Sequence, residues 1–284
     1  MAPLSLPLFL LFAALVEERA GLHYESEDLS LFADKLAGRV TEAGFDNPLD
    51  YYYFLRYDPN GNRELDALVD VLVVNETYLF RESDALTSSL AHVIRPALDA
   101  RTRARIWSAG CATGEEPFSI GMLLAEESLL DRVDLVATDI STRALARARS
   151  ARVSLRGVRS LLPGATMPPP PWAIRASVRW LTHDDRGAAV DRTIVDAIAF
   201  RRESLVDLPR LEEPHVSSFD LIFCRNVLIY FRDDIVVQVV RRLAERLRPG
   251  GRLVVGASES LLRFGTLLRC EELWGAFFYV KDGP

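Results

Sequence analysis

The sequence predicts an α/β fold: a small, all-helical N-terminal domain, then a doubly wound, mostly parallel sheet with a small antiparallel β insertion. Three observations carry that prediction. Residues 1–74 show helical apolar spacing with short breaks. From about residue 103, short apolar runs alternate with longer amphipathic ones, as strands alternating with helices do. Between about 152 and 198 the alternation stops around Pro168-Pro169-Pro170-Pro171, which suits neither a helix interior nor a central strand. The expected domains are therefore 1–74 and 75–284, with the insertion inside the second.

The first element is the apolar run Leu4 to Val16, read as a helix that stops at Gly21. No Lys or Arg precedes it and Glu17-Glu18 follow, which argues against a signal peptide. It is also too short to span a bilayer. Leu29, Leu31, Phe32, Leu36 and Val40 approximate one face of a second helix, with Gly44 as its stop. Tyr51-Tyr52-Tyr53-Phe54 reads as packing aromatics, Asp58-Pro59-Asn60-Gly61 as a turn, and Glu64 to Val74 as a further helix.

In the second domain, strands are expected at 105–108, 133–138, 219–224, 252–257 and 274–280. Helices are expected at 117–129, 141–151 and 235–247. Within the insertion, Ser177 to Thr182 and Arg192 to Phe200 read as antiparallel strands around an Asp184-Asp185-Arg186-Gly187 turn.

Composition narrows the function. The 284 residues carry a net charge of −6, which disfavours a broad nucleic-acid-binding face. Cys111, Cys224 and Cys270 are too scattered for a disulfide framework or a metal site, so no metal is expected and a reducing cytoplasm fits best.

The chemistry concentrates at three places. Trp107-Ser-Ala-Gly110-Cys-Ala-Thr-Gly114-Glu115-Glu116-Pro117 runs from a strand through a glycine turn into a helix. Such turns let a ligand approach the backbone, and many hold a pyrophosphate. Here two carboxylates occupy the phosphate's place and would repel it unless paired. A cationic, phosphate-free ligand suits the loop better, and S-adenosyl-L-methionine is one. Asp139 ends the next strand, at the distance where an acid takes ribose hydroxyls; its other reading is a cap for the following helix. Cys224-Arg225-Asn226 through Tyr230-Phe231 opens at the carboxyl edge of a later strand, where ligands bind in open α/β sheets.

Together with Asn75-Glu76-Thr77-Tyr78-Leu79-Phe80-Arg81-Glu82 and Leu247-Arg-Pro-Gly250-Gly251, these segments resemble the CheR-type chemotaxis receptor methyltransferases, which esterify protein glutamates. The resemblance covers nearly the whole chain. It implies a Rossmann-like class I methyltransferase domain using S-adenosyl-L-methionine. It puts Asn75, Thr77, Arg81, Glu115, Asp139, Arg225 and Asn226 at cofactor-contacting positions. Ser204-Leu205 matches the family's adenine-side Asn-Leu pair, with Ser in place of Asn. Arg81 and Tyr230 fall beside the transferring methyl. The implied partners are the cytoplasmic helical domains of chemoreceptors, with a receptor C-terminal peptide at the β insertion, and no membrane insertion. The family's basic receptor-contacting helix is represented here only by Arg19, Lys35 and Arg39 among several acids.

A glutamate is already ionised at neutral pH, so methyl transfer to it needs no general base. Arg81 then holds either the substrate carboxylate or the cofactor's own, and Tyr230 orients a partner or covers the cofactor. The competing readings are a methyltransferase with another acceptor, and a non-catalytic S-adenosylmethionine-binding adaptor.

Overall fold

A computed structural model describes residues 4–162, 165, 168–208 and 219–283. The chain forms two compact units. One comprises Met1–Val74 with Ile229–Val236, and the other Asn75–Leu228 with Val237–Pro284.

The first unit is helical: α1 (Leu6–Ala20), α2 (Leu29–Glu42), α3 (Pro48–Tyr57) and α4 (Gly61–Leu72). α1 ends where Gly21 turns left-handed at φ 74° and returns its N–H to the Glu17 carbonyl. Phe9 and Phe12 of α1, Phe32 of α2 and Tyr51 of α3 form an aromatic core of edge, tilted and stacked contacts. Phe32, Leu36 and Val40 are buried as expected, but Leu31 is not: one residue along, it faces out with 59% exposure. Tyr53 also projects outward, so only part of the tyrosine cluster packs inside. Three cations of this unit are used internally. Arg19 bonds Asp66, Lys35 donates to the Leu72 carbonyl, and Arg39 grips Glu64 with two nitrogens at 2.6 and 2.7 Å.

The second unit begins with α5 (Ser83–Ser89), a π-helical turn at Leu90–Ile94 and α6 (Arg95–Ala100). The main sheet then alternates with helices: β1 (Ala104–Ala109), α7 (Glu115–Glu126), β2 (Val133–Asp139) and α8 (Thr142–Arg149). The insertion holds β3 (Arg152–Ser154), α9 (Pro171–Trp180), β4 (Leu181–Asp184), β5 (Gly187–Val190) and α10 (Arg192–Asp196). β6 (Ile198–Arg202), β7 (Phe219–Cys224), α11 (Asp233–Arg246), β8 (Leu247–Val255), β9 (Leu268–Leu273) and β10 (Ala276–Lys281) complete the chain. The seven-stranded sheet has the order β6-β2-β1-β7-β8-β10-β9, parallel except for β10 against β8 and β9. All six residues of β7 are buried, as a central parallel strand requires.

Several expectations need correction. α7 starts at Glu115, with Pro117 inside its first turn where a missing N–H costs nothing. The insertion does form an antiparallel sheet, but in the order β3-β5-β4. Ser177–Trp180 is helical, as the last turn of α9. Arg192–Phe200 is not one strand. Asp191 caps Thr193 and starts α10, and local capping overrides the β-branched Thr-Ile-Val run. Its tail, Ile198–Phe200, opens β6, which pairs with β2 in the main sheet. The last expected strand, 274–280, is β10, and an unexpected strand, β9, precedes it, joined to it at Trp274-Gly275, both left-handed at φ 50° and 76°. β9 escaped notice because its edge position lets charged residues replace an apolar run.

Candidate active site

The strand order reverses direction between β1 and β7: β2 and β6 extend the sheet on one side, β8 on the other. The carboxyl end of that junction is where an open parallel sheet leaves a crevice. The chain places its glycine loop after β1, Asp139 at the end of β2, Ser204-Leu205 after β6 and Arg225-Asn226 after β7. Six of the expected residues, Glu115 at the end of the glycine loop included, thus follow four adjacent parallel strands at one edge.

The loop Gly110–Gly114 is built on left-handed backbone, with φ 80° at Gly110, 47° at Ala112 and 100° at Gly114. A Cβ at Gly114 would meet the Phe118 ring at 2.8 Å, so only glycine fits there without displacement. Asp139 holds the loop. One carboxylate oxygen accepts the Ala112 N–H and the other the Ser141 N–H, each at 2.8 Å. Ser141, not Asp139, caps α8 by accepting the Ala144 N–H at 3.0 Å.

The two glutamates after the loop have different surroundings. Glu116 accepts from Ser108 Oγ at 2.7 Å and pairs with Arg225 at 3.2 Å. Glu115 accepts from Thr113 Oγ1 at 2.6 Å, with the charges of Arg147 and Arg159 in its surroundings. Burial raises the pKa of both above the usual carboxylate range. Cys111 and Cys224 flank the same region, and burial pushes both thiols well up, so they stay protonated.

Asn75, Thr77 and Arg81 lie on the segment that leads into α5. Its backbone is unusual: Phe80 and Glu82, on either side of Arg81, are both left-handed at φ 61° and 49°. Non-glycine residues held this way cost about 1–3 kcal/mol each and gather where surrounding contacts fix them. Here Phe80 N donates to Ser119 Oγ at 2.8 Å, and Arg225 Nη2 donates to the Arg81 carbonyl at 2.6 Å. The Arg81 guanidinium itself is loosely held. Its contacts are a 3.4 Å bond to the Glu76 carbonyl, Glu82 at 4.0 Å and the Tyr78 ring at 5.6 Å. It is available for a carboxylate.

Beyond β6, Ser204 Oγ is buried with no hydrogen-bond partner, next to buried Leu205. After β7, Asn226 turns left-handed at φ 58°, and Glu259 accepts both its N–H and that of Gly256 at 2.6 and 2.7 Å. Tyr230 belongs to the helical unit, where its carbonyl accepts the His23 N–H at 2.9 Å. Ser119, Glu82, Glu116 and Glu259 were missed as partners in the sequence. A polar Ser119 one turn after Glu115 in an otherwise apolar helix was the one available signal.

The polar set suits S-adenosylmethionine: the Asp139 carboxylate at the end of β2, an orphaned hydroxyl at Ser204, and Glu115 and Glu116 in the first turn of α7. Among the described residues no group of His, Cys, Asp and Glu is arranged to hold a metal, and no helix is long and apolar enough to cross a membrane.

Comparison with known proteins agrees. Residues 75–273 match the family model described as "CheR methyltransferase, SAM binding domain". The chain is 32% identical to the chemotaxis protein methyltransferase 2 of Vibrio cholerae, covering 93% of this chain and 89% of that protein. It is 30% identical to the chemotaxis protein methyltransferase of Salmonella typhimurium, covering 94% and 87%. With that of Vibrio parahaemolyticus it shares 36% identity over 70% of each. The crevice geometry and these relatives lead to one conclusion: the chain belongs to the CheR methyltransferase family and is an S-adenosylmethionine-dependent methyltransferase of chemotaxis.

Proposed function

We propose that this enzyme methylates glutamate side chains on the cytoplasmic helical domains of chemoreceptors, giving γ-glutamyl methyl esters. The observation that carries the reading is Arg81: a loosely engaged guanidinium on a strained, firmly anchored backbone beside the glycine loop. Such a group recognises a carboxylate through charge-assisted hydrogen bonds. The relatives' names, chemotaxis protein methyltransferases, support a receptor as the acceptor.

When bound, S-adenosylmethionine supplies an electrophilic methyl on a sulfonium. Asn75, Thr77, Glu115, Asp139, Ser204, Leu205 and Asn226 would hold it. Asp139 would take the ribose hydroxyls, and Ser204 Oγ would gain a partner on the adenine side. Glu115 places negative charge near a cationic ligand. The substrate glutamate is already ionised at pH 7, so the chain has no proton to remove. Its task is alignment and exclusion of water, and alignment alone is worth about 7–11 kcal/mol in well-oriented reactions. In this reading Arg81 holds one oxygen of the glutamate and leaves the other free. A tighter grip would stabilise the ground state and slow transfer. Tyr230 orients the glutamate through its hydroxyl.

The test is incubation of the purified protein with S-adenosylmethionine and a receptor cytoplasmic domain, followed by peptide mass mapping. Methyl groups on glutamates of the receptor helices are expected. Methylation of other residue types, or none, would overturn the assignment.

A further inference from the structure

Arg225 is the most enclosed arginine at the site, its side chain 2% exposed. Its guanidinium joins three separate segments. Nη2 donates to the Arg81 carbonyl at 2.6 Å and lies 3.1 Å from Glu82, while Nη1 lies 3.2 Å from Glu116 on α7. A planar fork spans acceptors in this way, and a lysine's point charge does not. A second anchor comes from α7 itself. Ser119 Oγ accepts the Phe80 N–H at 2.8 Å and donates to the Glu115 carbonyl at 2.6 Å, so the hydroxyl uses both functions. The two anchors bracket Arg81 on the two left-handed residues that flank it. Both also lead to α7, the helix that the glycine loop opens into.

We propose that Arg225 and Ser119 form a positioning clamp that sets the backbone of Arg81, and that Arg225 acts through Arg81 instead of binding the cofactor. The proposal rests on the reading above that Arg81 works at the reacting centre. The clamp makes the Arg81 loop and the cofactor loop one mechanical unit. The strained backbone at Phe80 and Glu82 is held only while Arg225 and Ser119 hold it. If Arg225 were instead a cofactor contact, the nitrogen to do it would be Nε, which is enclosed without a partner.

The test compares Arg225→Lys and Ser119→Ala with the parent protein in three measurements. These are S-adenosylhomocysteine affinity by calorimetry, kcat at saturating S-adenosylmethionine, and amide exchange across residues 78–82. The clamp predicts affinity within about threefold of the parent, since the residues placed on the cofactor are untouched. It predicts kcat down about a hundredfold, as a misplacement of about an ångström can cause. Exchange at Phe80 should quicken in both variants. The double variant should be little worse than the poorer single one, because both remove the same constraint. Retained affinity reports that each variant is folded.

A large loss of affinity in Arg225→Lys with kcat preserved would make Arg225 a cofactor contact and overturn the proposal. So would unchanged exchange in both variants. If the parent protein methylates no receptor glutamate, the substrate reading fails on its own, and affinity and exchange still decide the clamp.

Discussion

At the scale of single residues, the site depends on two ways of holding a charge. Arg225 is enclosed and its Nη atoms are engaged by Arg81 O, Glu82 and Glu116. Arg81 is half-open and almost unengaged. The first arrangement stabilises structure, since a buried charge without partners would be costly. The second leaves a cation free to meet a carboxylate. Arg81→Ala is therefore expected to lower turnover about ten- to a hundredfold, the weight of one charge-assisted hydrogen bond, with the melting temperature little changed. Tyr230→Phe is expected to lower turnover less. Steady-state kinetics alongside thermal melts check both, and normal turnover in the two variants would remove them from the chemistry. Residue types were legible in the sequence because Gly110, Gly114, Asp139 and Arg225 stand at strand ends. Their partners were not. Nothing in the order of residues brings Ser119 to Phe80, 39 positions away, or Glu259 to Asn226.

At the scale of elements, the helical unit depends on buried polar links between helices. Tyr51 of α3 donates to Glu64 of α4 at 2.8 Å, and Arg39 of α2 grips the same carboxylate. Tyr24 donates to the Leu72 carbonyl at 3.1 Å. Burial raises the phenol pKa of Tyr24 from 10.0 to about 12, and burial with the Glu64 carboxylate raises that of Tyr51 further. Both groups are neutral in the folded state at a pH where the unfolded chain has lost the proton. Their contribution is thus complete below pH 10 and is lost as pH rises through the folded values. Urea unfolding of the helical unit, followed by tyrosine fluorescence, should show stability falling between about pH 10 and 12. Tyr24→Phe should flatten part of that slope, and an unchanged slope would contradict the account. Elements with a clear period were legible: α1, α2, α11, β1, β2 and β7. Those that failed had no such period. β9 is a charged edge strand, α10 is five residues started by one cap, and the β9–β10 turn puts Trp where Asn is usual.

At the scale of the whole molecule, charge is unevenly shared. Residues 1–74 contain thirteen acids against five Lys and Arg, in a chain whose net charge is −6. Arg19, Lys35 and Arg39 are all engaged within the helical unit, so α2 offers no free basic face of the kind the family resemblance implies. The parallel sheet and its reversal between β1 and β7 were readable from the alternation of elements. The cofactor class was readable because acids stand where a phosphate would sit. The acceptor was not readable from the residues, since any carboxylate satisfies an arginine. The most direct test of the central claim is transfer of radiolabelled methyl from S-adenosylmethionine to receptor-rich membranes, followed by mild alkali. The account predicts label in a receptor band that leaves as methanol in base, as a glutamyl ester must. Label that survives base, or cofactor binding with no label in receptor, would contradict it.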